Sequence, residues 1–457
     1  MTTVTVTAPG RATRQHPRAA LGVAMLGFFV VALDSQVVNV ALPAIRTHLG
    51  GNLSALQWVV TGYTLTFSAL LLFGGTFSER TGARRAYGAG MVVFVVASAL
   101  CGIAPTLPVL VGARVLQGVG AALITPTSLA LIRQEYTHAA ARARAVAYWA
   151  MGGSVAAAAG PILGGALTEL DWRWIFFLNL PAGALALLVL SRVTPSPQRV
   201  VPFDLAGQLA AVPALAGLTF AVIEGPDLGY TSAPVLTGYG LAVLAGTAFV
   251  AAQARGDHPM VPLHLFRSRQ IATTLATAFV GMAAFYGLVF VQSLYFQQAR
   301  GLSPLTTGLL FLPMTGLVAA LNPVAARTAL RFGPVVPIVG GQLVVAASLL
   351  ALALVPAGTA PWVVALLMVP VGVGGSFTVP PLTSMLLDAI PAERAGTASG
   401  VLNTARQVGG SLGVAAVGAV LAAQPDFIHG QRTGLLAMTV LVVLTTAASA
   451  TLRRPTA

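Results

Sequence analysis

Fourteen runs of about 17 to 25 mostly apolar residues follow one another along the chain, separated by short loops. They lie at about residues 20–42, 56–76, 86–104, 107–131, 144–168, 174–191, 204–223, 236–253, 272–298, 304–329, 333–355, 361–385, 397–422 and 434–451. Such runs match the hydrocarbon thickness of a bilayer, where a backbone must satisfy its own hydrogen bonds and therefore coils into helices. Composition leaves no soluble alternative: of 457 residues, 56% are hydrophobic and 8% charged, with a mean hydropathy of +0.84. An all-α integral membrane protein is expected. The seventh and eighth runs, interrupted by Pro213 and separated by EGPDLGY, are the weakest; without them the total is twelve and the side of both termini is unchanged.

The charges orient these spans. All 25 basic residues are Arg; nineteen fall in the loops and tails of one side, four (Arg46, Arg173, Arg300, Arg432) on the other, and Arg114 and Arg406 lie inside spans. The positive-inside rule then puts both termini in the cytoplasm of a cell whose cytoplasmic membrane the chain crosses. The Thr-rich, Arg-bearing residues 1–19 are expected as a disordered cytoplasmic tail before an uncleaved first helix, because the run behind them is too long for a signal-peptide core. The net charge of +13 is a loop property, so no nucleic-acid partner is inferred; the lipid bilayer and a small molecule are the expected partners.

Absent residues remove whole mechanisms. Without Lys there is neither a phosphate-binding P-loop nor a Schiff base. The lone Cys101 allows no intrachain disulfide, and the six His residues lie near span ends, so neither a metal site nor any cofactor is expected. No cluster of nucleophiles and acids suggests an enzyme, and no soluble domain suggests a receptor. An even number of spans with 49 Gly and 29 Pro suits a transporter whose helices pack closely and bend.

Three stretches carry local chemistry. In GTFSERTGARR (Gly75–Arg85), Gly75 and Gly82 frame a tight turn in which Glu79 is expected at a helix N-terminus. There Arg80, Arg84 and Arg85 either pair across the inner face as a latch or simply anchor the loop. In VLVGARVLQGVGAALITP (Val109–Pro126), Arg114 and Gln117 share one face inside a span, where a charge marks an ion or substrate pathway unless it snorkels to the surface. In AAAAGPILGGAL (Ala156–Leu167), Pro161 removes a backbone donor while Gly160, Gly164 and Gly165 leave a groove for a neighbouring helix.

Together with LDSQVVNVALP, QWVVTGYTL, DWRWIFFLNLPAG and ERAGTASGVLNTARQVGGSLG, these stretches resemble the major facilitator superfamily. The branch they resemble is that of drug:proton antiporters with fourteen helices, which holds QacA-like and methylenomycin-resistance-like exporters. The resemblance covers about residues 20 to 450; the loop motif departs from it at Glu79 and Ala83, and the antiporter motif at Ala156. It implies two six-helix bundles, at 20–191 and 272–451, with a central hairpin and linkers at 192–271 and a short tail at 452–457. It further implies proton-coupled export of hydrophobic or cationic drugs by alternating access. An endogenous metabolite as cargo, or uptake by symport, stands as the alternative, and a monomer is the expected state.

Of twelve acids, Asp34 is the one placed well inside a span, at nearly the depth of Arg114 counted from the outer ends of their runs. Asp34 is therefore expected to exchange a proton against a cationic substrate or Arg114; a purely structural hydrogen-bonding role is the competing reading. Glu224 either recognises a cation or caps a loop. Asn39, Trp58, Tyr63, Gln117, Tyr286, Tyr295, Asn403 and Arg406 are candidates for the substrate cavity, against the simpler reading that such residues pack helices.

Overall fold

The computed structural model describes residues 16–198, 201–390 and 395–452, and the described residues are helical nearly throughout. The helices are α1 (Pro17–Leu49), α2 (Leu53–Thr81), α3 (Ala83–Gly102), α4 (Leu107–Glu135), α5 (Ala139–Leu170), α6 (Trp174–Phe177), α7 (Asn179–Leu190), α8 (Leu205–Leu228), α9 (Ala233–Arg255), α10 (Arg269–Leu294), α11 (Pro304–Phe332), α12 (Val335–Leu354), α13 (Pro361–Asp388), α14 (Ala395–Ala422) and α15 (Phe427–Ala450). Thirteen are long and apolar enough to cross a membrane, and Trp174–Leu190 forms a shorter apolar stretch. Local signals set their ends: Asn52, Ser303 and Asp426 accept the backbone N–H of Ala55, Thr306 and His429 and so cap α2, α11 and α15.

Several boundaries differ from the sequence reading. Residues 17–19 belong to α1 rather than to a tail, and α1 continues to Leu49, past the end of its apolar run. The sixth run divides at Leu178, because Pro181 has no N–H to offer the carbonyl of Phe177, four residues earlier. Glu79 lies in the last turn of α2, at the negative end of its own helix, and not at an N-terminus. The expectations for residues 1–15, Arg199, Glu393, Arg394, Arg453 and Arg454 fall outside the described residues.

The two halves repeat one packing plan. In the first, α1 packs on α5, α2 on α4, α3 on α4 and on α7; in the second, α10 packs on α14, α11 on α13, α12 on α13 and on α15. Contacts between halves obey the same equivalence, since α2 meets α14 and α5 meets α11, which relates the halves by a two-fold axis. Helices α8 and α9 pair with each other and lean on α2 and α14 through α8. Asp204 ties this hairpin together, accepting from Gly207 N, Gln253 Nε2 and Met260 N at 2.7, 2.6 and 3.2 Å.

The core shows where the halves are joined. At the end carrying the α1–α2 turn, here the loop end, one buried cluster runs through both halves, from Val37 and Leu56 to Phe290, Phe311 and Val417. At the opposite end, where α1 begins and α15 finishes, it is replaced by separate clusters. Those around Tyr87 and Phe94 and around Ala24 and Ile132 belong to the first half; the one around Leu275 and Leu382 belongs to the second.

Proline chemistry builds part of the joint. Pro43 cannot donate to the carbonyl of Asn39, and Ser293 Oγ of α10 donates to it instead at 2.6 Å, while Gln297 Nε2 donates to Val40 O at 2.8 Å. Gln297 reaches α1 from a single π turn, Tyr295–Ala299, that ends α10. Across the joint, a Cβ on Gly165 would lie 2.4 Å from Pro304 O, and one on Gly308 would lie 2.2 Å from Pro161 O. Pro161, Ile162 and Gly165 of the AGPILGG stretch thus form the surface on which α5 meets α11.

Gly308→Val should therefore wedge the joint and cost about 1–3 kcal/mol. It is expected to lower the melting temperature of the detergent-purified protein. Gly340→Val, where an added Cβ meets nothing within 4 Å, should leave the melting temperature unchanged.

Candidate functional site

One polar network interrupts the apolar interior of the first half. Asp34 (0% exposed) and Arg114 (1% exposed) form an ion pair through Oδ2 and Nη1. Asp34 Oδ1 accepts from Gln117 Nε2 at 2.8 Å and from Asn179 Nδ2 at 2.9 Å. Ser98 Oγ accepts from the same two amides, at 2.8 and 3.3 Å. Arg114 donates through Nε to Val59 O at 3.0 Å and through Nη1 to Gln117 Oε1 at 2.7 Å. Its guanidinium lies 4.3 Å from the ring centre of Tyr63 and 5.8 Å from that of Phe176.

The partners come from six elements: Asp34 from α1, Val59 and Tyr63 from α2, Ser98 from α3, Arg114 and Gln117 from α4, Phe176 from α6 and Asn179 from α7. Arg114 and Gln117 share a face because they are three residues apart on a helix. Asn179 reaches the site at the first residue after the break above Pro181. Sequence reasoning missed Ser98 and Asn179; the signal for Asn179 was an amide alone in the apolar run IFFLNLPAG.

The arrangement has one titratable acid with no free face and a cation with independent support. Arg114 keeps the Val59 carbonyl, the Gln117 amide oxygen and the Tyr63 ring if Asp34 becomes neutral, so the pair can open without stranding the guanidinium. A cationic ligand could reach Asp34 only by displacing Arg114 or the two amides. The ionic partner this geometry gives Asp34 is Arg114.

The remaining candidates are spread over the molecule. Tyr63 is buried beneath Arg114, its hydroxyl donating to Val31 O at 3.2 Å. Asn39 is buried and donates to Ser35 O at 2.9 Å, with Oδ1 unpartnered. Trp58 donates to Glu224 Oε1 at 2.8 Å, and both line a cavity of about 650 Å³ at the loop end, with Ala55, Val111 and Phe220, away from Asp34. Tyr295 packs in the shared core, stacked on Phe427, rather than lining that cavity. Tyr286 lies beside Ser35, the neighbour of Asp34, at the junction of the halves. Arg406 bonds Thr383 Oγ1 at 2.8 Å and Asn403 Oδ1 at 3.4 Å.

The loop motif docks on the end of α7 and the linker that follows it. Gly82 takes φ +87°, a conformation costly to any other residue, and an added Cβ there would lie 2.9 Å from Ser196 O. Arg84 N and Nη2 donate to Ser196 Oγ and Ser191 O, Arg80 lies over Phe203, Arg85 is exposed and Gly75 has open space. None of these Arg residues, and not Glu79, forms an ion pair among the described residues. In the antiporter stretch, Gly160 and Gly164 pack against Gln36 and the Val37 carbonyl of α1 beside the network, and Gly165 and Pro161 meet α11.

The Major Facilitator Superfamily profile matches residues 24–414. The chain is 37% identical over 420 residues to the methylenomycin A resistance protein of Streptomyces coelicolor, covering 92% of this chain and 88% of that protein. It is 38% identical over 404 residues to the multidrug resistance protein Stp of Mycobacterium tuberculosis, covering 87% and 74%. Among solved structures, a bacterial homologue of the human lysosomal transporter Spinster, in an inward-facing and unoccupied conformation, superposes with a TM-score of 0.67 at 16% identity, covering 96% of this chain and 97% of that one. A D-xylose–proton symporter gives 0.65 at 15% identity, covering 94% and 97%. At these identities the structures share the fold.

Removing Arg114 alone should cost more than removing both members of the pair. Arg114→Gln alone is expected to destabilise by about 3–5 kcal/mol, because Asp34 is left without its cation in an apolar interior, and Asp34→Asn alone by less, because Arg114 keeps the Val59 carbonyl, Gln117 and the Tyr63 ring. The double substitution should lose less than the sum, as read from detergent melting temperatures in a double-mutant cycle.

Proposed function

The chain belongs to the major facilitator superfamily, a multi-pass membrane transporter and not an enzyme, and from that premise we propose that it is a proton-driven exporter of hydrophobic drug-like compounds. Protons are the coupling ion and no other cofactor takes part. The Arg distribution supports placing the end with both termini on the cytoplasmic side of the cytoplasmic membrane, so that the loop end faces outward. The functions named for the resistance proteins of Streptomyces and Mycobacterium support export as the direction and drugs or antibiotics as the cargo.

The observation that carries the reading is the pair itself. Asp34 and Arg114 are buried at the same place, and among the described residues Asp34 is the only acid at least seven residues from either end of its helix. An acid kept there at the cost of desolvation needs a task that a neutral residue cannot perform.

The cycle begins with the loop end closed, Asp34 ionised on Arg114, and cargo entering between the halves from the termini end. Opening of the loop end parts α1 from α10 at Asn39 and Val40, about one to two turns from Asp34. A proton from outside then neutralises Asp34 and frees it from Arg114, which stays on Val59, Gln117 and Tyr63. Cargo leaves on that side. Return to the closed state and loss of the proton to the cytoplasm restore the pair, whose reformation favours the loop-closed arrangement.

Asp34→Asn should abolish drug uptake driven by an imposed pH gradient in everted vesicles, by at least about tenfold, while a proton uncoupler should do the same to the unaltered chain. Full gradient-driven transport by the variant would remove Asp34 from the coupling step. A susceptibility panel in an efflux-deficient host should show protection that the uncoupler abolishes.

A further inference from the structure

Three charged side chains among the described residues lie at least seven residues from both ends of their helices: Asp34, Arg114 and Arg406. Asp34 and Arg114 cancel each other in one ion pair. Arg406 has no such partner: the other ion pairs among the described residues are Arg173 with Asp171 and His429 with Asp426. Its hydrogen bonds go to neutral groups, Thr383 Oγ1, Asn403 Oδ1 and, at 3.5 Å, Val379 O. Its Nε is buried with no partner. The middle of the molecule therefore carries one uncompensated positive charge and an unfilled donor.

The position of Arg406 on α14 tells where that charge faces. Gly409 and Gly413 press against α10, at the carbonyls of Phe279 and Ala283, while Gly400 and Gly418 press against Leu72 and Gln57 of α2 in the other half. Asn403, Arg406 and Gly410 lie on the arc between those two faces, since each residue turns about 100° around the axis. Gly410 abuts Tyr286, and Tyr286 lies beside Ser35, the neighbour of Asp34. Arg406 thus borders the junction of the halves, on the same side as the proton site, and is half-buried there rather than turned outward to lipid. Glu224 is not its counter-ion, being held by Trp58 at the loop end.

We propose that Arg406 is the recognition point for an acidic group on the cargo, so that the exported compound is an amphipathic anion such as a hydrophobic carboxylic acid. The proposal rests on the exporter reading and narrows its substrate class. A guanidinium in the membrane interior is costly, and helix packing alone would be served by Gln or an apolar residue at lower cost. A carboxylate arriving from the cytoplasm fills the donor edge left by Nε and the Nη groups, in the side-on geometry that Arg provides and Lys does not. A cationic cargo would instead meet a net positive site, because the negative charge of Asp34 is already taken.

The test uses one fluorophore in three charge states: dansylglycine as anion, dansylamide as neutral compound and dansylcholine as cation, each followed in everted vesicles against vesicles from host cells lacking the protein. The unaltered chain should favour dansylglycine over dansylamide on the order of tenfold to a hundredfold, the range of one charge-assisted hydrogen bond. It should move dansylcholine least. Arg406→Gln should bring the anion-to-neutral ratio close to one, and Arg406→Lys should retain part of it, a change in ratio that a purely structural role would not produce. Transport of dansylcholine in preference to dansylglycine by the unaltered chain, or an unchanged ratio in Arg406→Gln, would overturn the assignment and leave the exporter reading standing. Transport of none of the three, together with no protection in the susceptibility panel, would sink both.

Discussion

The buried pair of Asp34 and Arg114 is the interaction on which the first half depends. Two opposite charges in an apolar interior are tolerable only when hydrogen-bond partners surround them, and here that requirement draws groups from α1, α2, α3, α4 and the α6–α7 segment. The network therefore does two jobs at once. It aligns the helices of one half on a common point, and it keeps a titratable carboxylate within about two turns of the place where α1 meets the other half.

The joint between the halves is of a different kind. It is made of carbonyls freed or exposed by proline, of glycine surfaces that let backbones touch, and of one continuous apolar core confined to the loop end. Backbone contacts of this sort have few intermediate geometries: α5 and α11 either seat on Gly165 and Gly308 or part. The hairpin of α8 and α9 leans on both halves chiefly through α8.

Much of this was legible in the chain. Apolar runs of membrane length, the one-sided placement of Arg and the lack of Lys bound the class before any residue was considered singly, because the bilayer permits few solutions. Asp34 and Arg114 stood out for the same reason, being charges where charges are expensive. Less legible was whatever depends on which side of a helix meets which neighbour. Tyr63 and Tyr295 read as cavity aromatics, yet one is the platform beneath Arg114 and the other packs in the shared core. Glu79 read as a capped acid but ends its own helix, since the loop that follows docks on Ser196 instead of crossing the inner face.

By itself the sequence determined that the chain is helical and membrane-spanning, and that its interior holds very few charges, since hydrophobic length and charge cost are properties of each segment taken singly. Only the tertiary structure decided that Asn179 and Ser98 complete the Asp34 network, that the cores merge at one end and divide at the other, and that Arg114 is neutralised while Arg406 is not. Those facts belong to pairs of helices far apart in the chain, and a hydrogen bond between residues 34 and 179 leaves no trace in the periodicity of either segment.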